Sequence, residues 1–177
     1  MAERIFIVGH GAVTCLGPDM DSTWEGLVAG RSGIRRHEAF AEDQFLQGIA
    51  GCVENLEADA GTGDRNLARL SSRFILLAVK AAREAWTDAG LLDGSKPFDP
   101  LRTAISVGSA FGGVDFLEAQ QARSRKRQDL SVSPFLVPGL LINQAAGQIA
   151  QNLHLHGPSL APTNACATGG HALIFGA

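Results

Sequence analysis

Gly157-Pro158-Ser159-Leu160-Ala161-Pro162-Thr163-Asn164-Ala165-Cys166-Ala167-Thr168-Gly169-Gly170-His171 is the stretch on which the reading of this sequence turns. The Gly-Pro pair introduces a short extended segment, Ser159 to Thr163, and a helix is predicted from near Ala167. Cys166 therefore sits where a strand turns into a helix. A thiol at a helix N-terminus faces unpaired backbone N–H groups and the positive end of the macrodipole, and both favour the thiolate. The small neighbours Ala165, Ala167, Gly169 and Gly170 permit a sharp turn and close approach by a substrate. Cys166 is thus a candidate nucleophile, weighed against a buried structural thiol. The G-x-S-x-G elbow of hydrolases does not fit, because Asn164 and Thr168 stand where glycines are required. His171 lies five residues on, roughly 140° away around a helix axis, and is expected to be packed or hydrogen-bonded rather than a base for Cys166.

Upstream, strand and helix patterns alternate, which predicts an α/β class. Ile5-Phe6-Ile7-Val8 is apolar without alternation, as in a strand buried on both faces. Asp21-Ser22-Thr23 opens a short helix that ends at Gly30, and Ile49 to Val53 is a second candidate strand. The stretch from Glu54 to Asp64 is acidic, contains Gly61 and Gly63, and is expected to be loop. Ser71 or Ser72 starts the best helix, with Phe74, Leu77, Ala78, Ala81, Ala82 and Ala85 on one face and Gly90 as its stop. Thr103 to Val107 is a third strand, closed by Gly108-Ser109-Ala110-Phe111-Gly112-Gly113. A helix from about Val114 runs into the basic cluster Arg123-Ser124-Arg125-Lys126-Arg127, and another covers about Leu140 to Asn152.

Composition excludes several function classes. The 177 residues carry 15 Lys+Arg and 18 Asp+Glu, a net charge of −3 that argues against a general nucleic-acid or anionic-membrane binder. With 45% hydrophobic and 19% charged residues the chain is globular, and no apolar run is long enough to span a membrane. Cys15, Cys52 and Cys166 are odd in number and far apart, so neither a zinc site nor a disulfide framework is expected. Cys15 and Cys52 have no base or cationic cluster beside them in sequence and are expected in the core. His154 and His156 lack a third ligand nearby and are expected on a surface loop. The Gly108–Gly113 loop lacks both the Lys-Ser/Thr of a P-loop and the dinucleotide spacing. The apolar part of the N-terminus is too short for a signal peptide, which predicts a cytoplasmic address. A helix from Ala167 has only about three turns before Ala177 and no closing strand follows, which predicts the N-terminal portion (1–177) of a longer domain.

The residues resemble the N-terminal part of an elongating β-ketoacyl-[acyl-carrier-protein] synthase. The matching features begin with Gly9-His10-Gly11-Ala12-Val13-Thr14, Gly17, Thr23-Trp24 and Leu27-Val28-Ala29-Gly30-Arg31-Ser32-Gly33-Ile34. They continue with Ala81-Ala82-Arg83-Glu84-Ala85, Asp88-Ala89-Gly90, Gly108–Gly113 and Ser133-Pro134-Phe135-Leu136-Val137-Pro138. Asn143, Ala146-Gly147, Gly157-Pro158-Ser159 and Ala165-Cys166-Ala167-Thr168 complete a set that runs in order along nearly the whole chain.

The resemblance implies a layered αβα thiolase-like fold with a mixed sheet, of which this chain carries only part. It implies a decarboxylative condensation. Cys166 would accept an acyl group from a carrier protein, and its amide would form half of an oxyanion hole. Substrates would arrive on the carrier's phosphopantetheine, and no separate cofactor is implied. Phe111, Phe135 and Leu136 would border the acyl pocket. Arg65, Arg69, Arg123, Arg125, Lys126 and Arg127 would dock the acidic carrier. Ser159 to Thr163 would join a two-fold mate, giving a homodimer or a heterodimer with a synthase-like subunit. The family's two catalytic histidines, lysine and Gly/Phe-rich loop follow its cysteine, and none of them lies within these 177 residues. The alternative is a non-catalytic synthase-like partner that shapes another subunit's pocket, against which the presence of Cys166 argues. A thiolase-like enzyme acting on coenzyme A esters fits the Ser133–Pro138 segment less well.

Overall fold

A computed structural model describes residues 4–38, 41, 47–54, 56, 60–64, 66, 67, 71–128 and 132–177. The elements run α1 (Met20–Val28), β1 (Ile34–Arg36), β2 (Ile49–Gly51), α2 (Arg73–Asp88), β3 (Ile105–Ser106), α3 (Val114–Arg127), α4 (Leu136–Leu140), α5 (Gln144–Leu153) and β4 (Ser159–Leu160). A 3₁₀ turn over Ala165–Ala167 then leads into α6 (Thr168–Gly176). β1 and β2 form an antiparallel hairpin with Arg35 opposite Ala50. β3 and β4 pair in parallel, Ile105 with Ser159 and Ser106 with Leu160. Helices and both kinds of ladder together bear out the α/β class.

The core lies where α2 packs on α5 above the β3–β4 ladder. Ile75 and Val79 of α2 are buried to 1% and 0% exposure, facing Ala145, Ala146, Ile149 and Leu153 of α5. Arg83 ties the same two helices by donating to Asn152 Oδ1 at 2.8 Å. Trp86 at the far end meets Phe98 edge to face, with centroids 5.3 Å apart. Ile75 and Val79, the most buried residues of α2, lie outside the face expected from sequence, whereas Ala81 and Ala85 of that expected face meet the 9–11 segment. Ala81, Ala85 and Ala89 receive the backbone of the 9–11 segment so closely that side chains at Gly9 and Gly11 would strike helix backbone. Small residues on both partners are what this contact requires. Glu84 on that face accepts from the Ala12 N–H at 2.9 Å and the Met20 N–H at 2.6 Å, pinning the loop before α1.

Two sequence expectations are corrected, and two features are added. Ile5–Val8 forms no strand and has no ladder partner among the described residues, and these residues are 67–88% exposed. A strand buried on both faces needs neighbours that none of the described elements supplies. The helix expected over Leu140–Asn152 starts later, at Gln144, because Leu141 is extended (ψ 134°) and separates it from the short helix that ends at Leu140. Strand β1 was not foreseen, since Ile34-Arg35-Arg36 carries no apolar alternation and pairs through its backbone. Ser72 starts α2 as expected; its hydroxyl makes no capping bond, and the Arg73 N–H donates to Asp115 Oδ2 at 2.9 Å.

Candidate active site

Three bonds build the turn around Cys166. Ala167 N–H donates to Asn164 O at 3.0 Å, and Thr168 N–H donates to Ala165 O, closing the 3₁₀ turn. Asn164 N–H donates to Thr168 Oγ1 at 2.7 Å. Ala165, just before the thiol, sits at φ +46° in the left-handed region, which costs a residue with a Cβ about 1–3 kcal/mol unless its surroundings hold it there. Those three bonds supply the restraint. Cys166 itself is exposed and in no disulfide, and its N–H makes no hydrogen bond among the described residues. A nucleophilic atom and an open backbone donor therefore share one residue at the mouth of a helix. That pairing suits attack on a carbonyl whose oxygen takes up negative charge.

The turn is pressed against β3. Thr168 is 5% exposed, and Gly108, two residues after the strand, lies so near that an added Cβ would overlap Thr168 Cγ2. Thr168 O and Pro162 O would lie 3.0 and 3.3 Å from the same Cβ. His171 approaches Asn164 Nδ2 to 3.4 Å and packs edge-on against Phe175, so it is a bonded neighbour of the elbow as expected. Leu160, Ala161, Pro162 and Phe175, from either side of the elbow, line an apolar cavity of about 230 Å³.

The other residues singled out from sequence lie elsewhere. Phe111 is 81% exposed on the loop after β3. Phe135 and Leu136 are half-buried at the start of α4, which packs on α3 and α5. Arg123 and Arg127 line a cavity of about 300 Å³ with Gln120, Val132, Ser133 and Pro134. Arg125, Lys126 and Arg127 occupy the last turn of α3, where positive charge complements the helix dipole. Arg65 and Arg69 lie outside the described residues. His154 and His156 are exposed, as expected. Cys15 and Cys52 correct the sequence reading. Both are half-buried, and they line a cleft of about 380 Å³ with Arg35, Glu54 and Lys80 because β1 folds back beside them. Sequence reasoning missed Thr168 as a structural part of the elbow. The available signal was its hydroxyl four residues after Asn164, the spacing of a local side-chain-to-backbone bond.

Asp88 closes the far end of α2. It accepts from the His10 backbone N–H at 3.0 Å and contacts His10 Nδ1 at 2.6 Å. The backbone bond first, and the ring second, hold its carboxyl below the usual carboxylate range.

The profile of the family described as "Beta-ketoacyl synthase, N-terminal domain" matches residues 2–176. The chain belongs to that family. It is 32% identical over 169 residues to a 3-oxoacyl-[acyl-carrier-protein] synthase 2 of Coxiella burnetii, covering 96% of this chain and 40% of the relative. A protein of the same name from Staphylococcus aureus (strain COL) is 33% identical over 171 residues, covering 97% and 41%. The chain thus spans about 40% of the length of the curated relatives it matches. Among solved structures, the ishigamide ketosynthase/chain length factor superposes with a TM-score of 0.76 at 26% identity, over 89% of this chain and 39% of that one. A beta-ketoacyl synthase from Burkholderia phymatum STM815 gives 0.80 at 24% identity, over 98% and 42%. The fold is the thiolase-like one of the ketosynthases, as the motif resemblance implied. No helix among the described residues is long and apolar enough to cross a membrane.

Proposed function

We propose that Cys166 is the acyl-accepting nucleophile of a decarboxylative condensation in fatty acid or polyketide-type synthesis. The observation that carries the reading is the elbow itself, which presents an exposed thiol and an unengaged N–H on one residue. The Cys166 thiolate attacks the carbonyl of a carrier-bound thioester. The carbon–sulfur bond to the carrier breaks, and the carrier's thiolate leaves and takes up a proton. A malonyl thioester then loses CO₂ through cleavage of its carboxyl C–C bond. The resulting enolate carbon attacks the acyl-enzyme carbonyl, and the Cys166 sulfur departs. Splitting the reaction in this way lets one soft nucleophile serve both as acceptor and as leaving group. Substrates travel on the carrier's phosphopantetheine, and no other cofactor enters.

The names of the curated relatives support an acyl carrier protein as partner. Arg123, Arg125, Lys126 and Arg127, at the exposed end of α3, supply charge opposite to that of an acidic carrier. Strand β4 is an edge strand among the described residues, and a two-fold mate or a synthase-like subunit would pair with it. Three free thiols fit a reducing compartment, the cytoplasm. The test is condensation of an acyl carrier with malonyl carrier by the intact natural protein and by its Cys166→Ala form. Loss of β-ketoacyl product in the variant supports the reading; product at the parental rate contradicts it.

A further inference from the structure

We infer that Thr168 is the positioning residue of the elbow, acting on Cys166 through Asn164. The inference rests on the Cys166 reading and deepens it. Thr168 has two side-chain arms, and each meets a different part of the site. Its hydroxyl oxygen accepts the Asn164 N–H at 2.7 Å, closing a loop of five residues with Cys166 at its centre. Its methyl group is wedged against Gly108, just beyond the strand that α6 packs upon. At 5% exposure the residue has no water to replace either contact. With the hydroxyl bond made, Asn164 has both of its backbone polar groups engaged, since its oxygen already takes the Ala167 N–H at 3.0 Å. The chain is then fixed on both sides of Ala165, and a left-handed φ of +46° can persist there. That φ is what turns the Cys166 side chain and N–H outward together. Release of the Asn164 end frees Ala165 to relax, and the two groups lose their common aim.

Two near-isosteric changes separate the arms. Thr168→Val keeps the methyl that meets Gly108 and removes the acceptor. Thr168→Ser keeps the acceptor and removes that methyl. In the intact natural protein, Thr168→Val is expected to lower the kcat of Cys166 acylation about 10- to 100-fold, because a nucleophile out of line by a fraction of an ångström loses that much. The KM for the acyl carrier should stay within about twofold, since Thr168 is buried and meets no docking partner. Thr168→Ser should retain kcat within about threefold of the parent. A general loss of structure would instead move kcat, KM and the unfolding midpoint together in both variants. A parental kcat in Thr168→Val, or an equal loss in Thr168→Ser, overturns the inference while leaving Cys166 as nucleophile. Acyl transfer that persists in Cys166→Ala removes the Cys166 reading, and this inference with it. Should Thr168→Val fail to fold, hydrogen exchange in the unaltered protein decides. A protected Asn164 amide is expected, and exchange at the rate of an open loop overturns the assignment.

Discussion

Gly108→Ala places a single methyl group where the elbow meets β3, and the structure sets its cost. The new Cβ would overlap Thr168 Cγ2 and lie 3.0 Å from Thr168 O and 3.3 Å from Pro162 O. Two of those three atoms are backbone, in segments that flank Cys166 before and after, so they cannot swing aside. Thr168 can relieve the overlap only by turning about χ1, and that rotation carries Oγ1 away from the Asn164 N–H. Overpacking of this kind costs about 1–3 kcal/mol. Replacing glycine by alanine at an unstrained position returns about 0.4–1 kcal/mol through the unfolded chain. The net expectation is a loss of about 1–2 kcal/mol, with slower alkylation of Cys166. Chemical denaturation and the rate of iodoacetamide labelling followed by peptide mapping measure the two effects. Adding Thr168→Ser removes the struck methyl and should recover part of the stability, a coupling of about 0.5–1 kcal/mol in a double-mutant cycle. Gly108→Ala with parental stability and parental labelling would refute the packing argument.

Glu84→Ala removes the acceptor of two backbone N–H groups, at Ala12 and Met20, and should cost about 1–3 kcal/mol by denaturation; Glu84→Gln, which keeps one neutral acceptor, should cost less, and equal costs would show that the charge is irrelevant. Asp88 has a carboxyl held below its ordinary value, so its contribution is complete above about pH 4 and is lost as pH falls through the lower folded value. The stability gap between the parent and Asp88→Asn should therefore narrow below about pH 4, and a constant gap in urea midpoints across pH 3–6 would contradict the sign. Charge reversal at Arg125 and Arg127 should slow association with an acyl carrier at low salt by about tenfold and reduce its salt dependence, as surface plasmon resonance would record; unchanged association would leave the cluster as a solvated helix end.

What was legible in the sequence follows from how local each signal is. Helix α2 was found because a sixteen-residue apolar periodicity and a glycine stop are both local. The burial of Ile75 and Val79 was not, because it depends on α5, seventy residues further along, and the partner of Ala81 and Ala85 is a glycine segment some seventy residues earlier. The elbow was legible as small residues around a thiol between an extended segment and a helix. The bond that shapes it was not, since Thr168 stands in the sequence as a departure from a hydrolase motif and as part of the Ala-Cys-Ala-Thr match, and neither shows where its hydroxyl points. Strand β1 escaped for a similar reason, its pairing being carried by backbone rather than by side-chain pattern. Cys15 and Cys52 were misplaced because the arginine and lysine that line their cleft come from β1 and α2, distant in sequence. Phe111, Phe135 and Leu136 rest on resemblance rather than on pattern.

The central claim is that an acyl group passes to Cys166, and one measurement addresses it directly. The intact natural protein is incubated with an acyl-carrier-protein thioester in the absence of malonyl carrier, digested at low pH and mapped by mass spectrometry. A mass increase equal to the acyl group is expected on the peptide that contains Cys166, with none on those holding Cys15 or Cys52. An acyl group found on another residue, or one that persists in Cys166→Ala, would contradict the account.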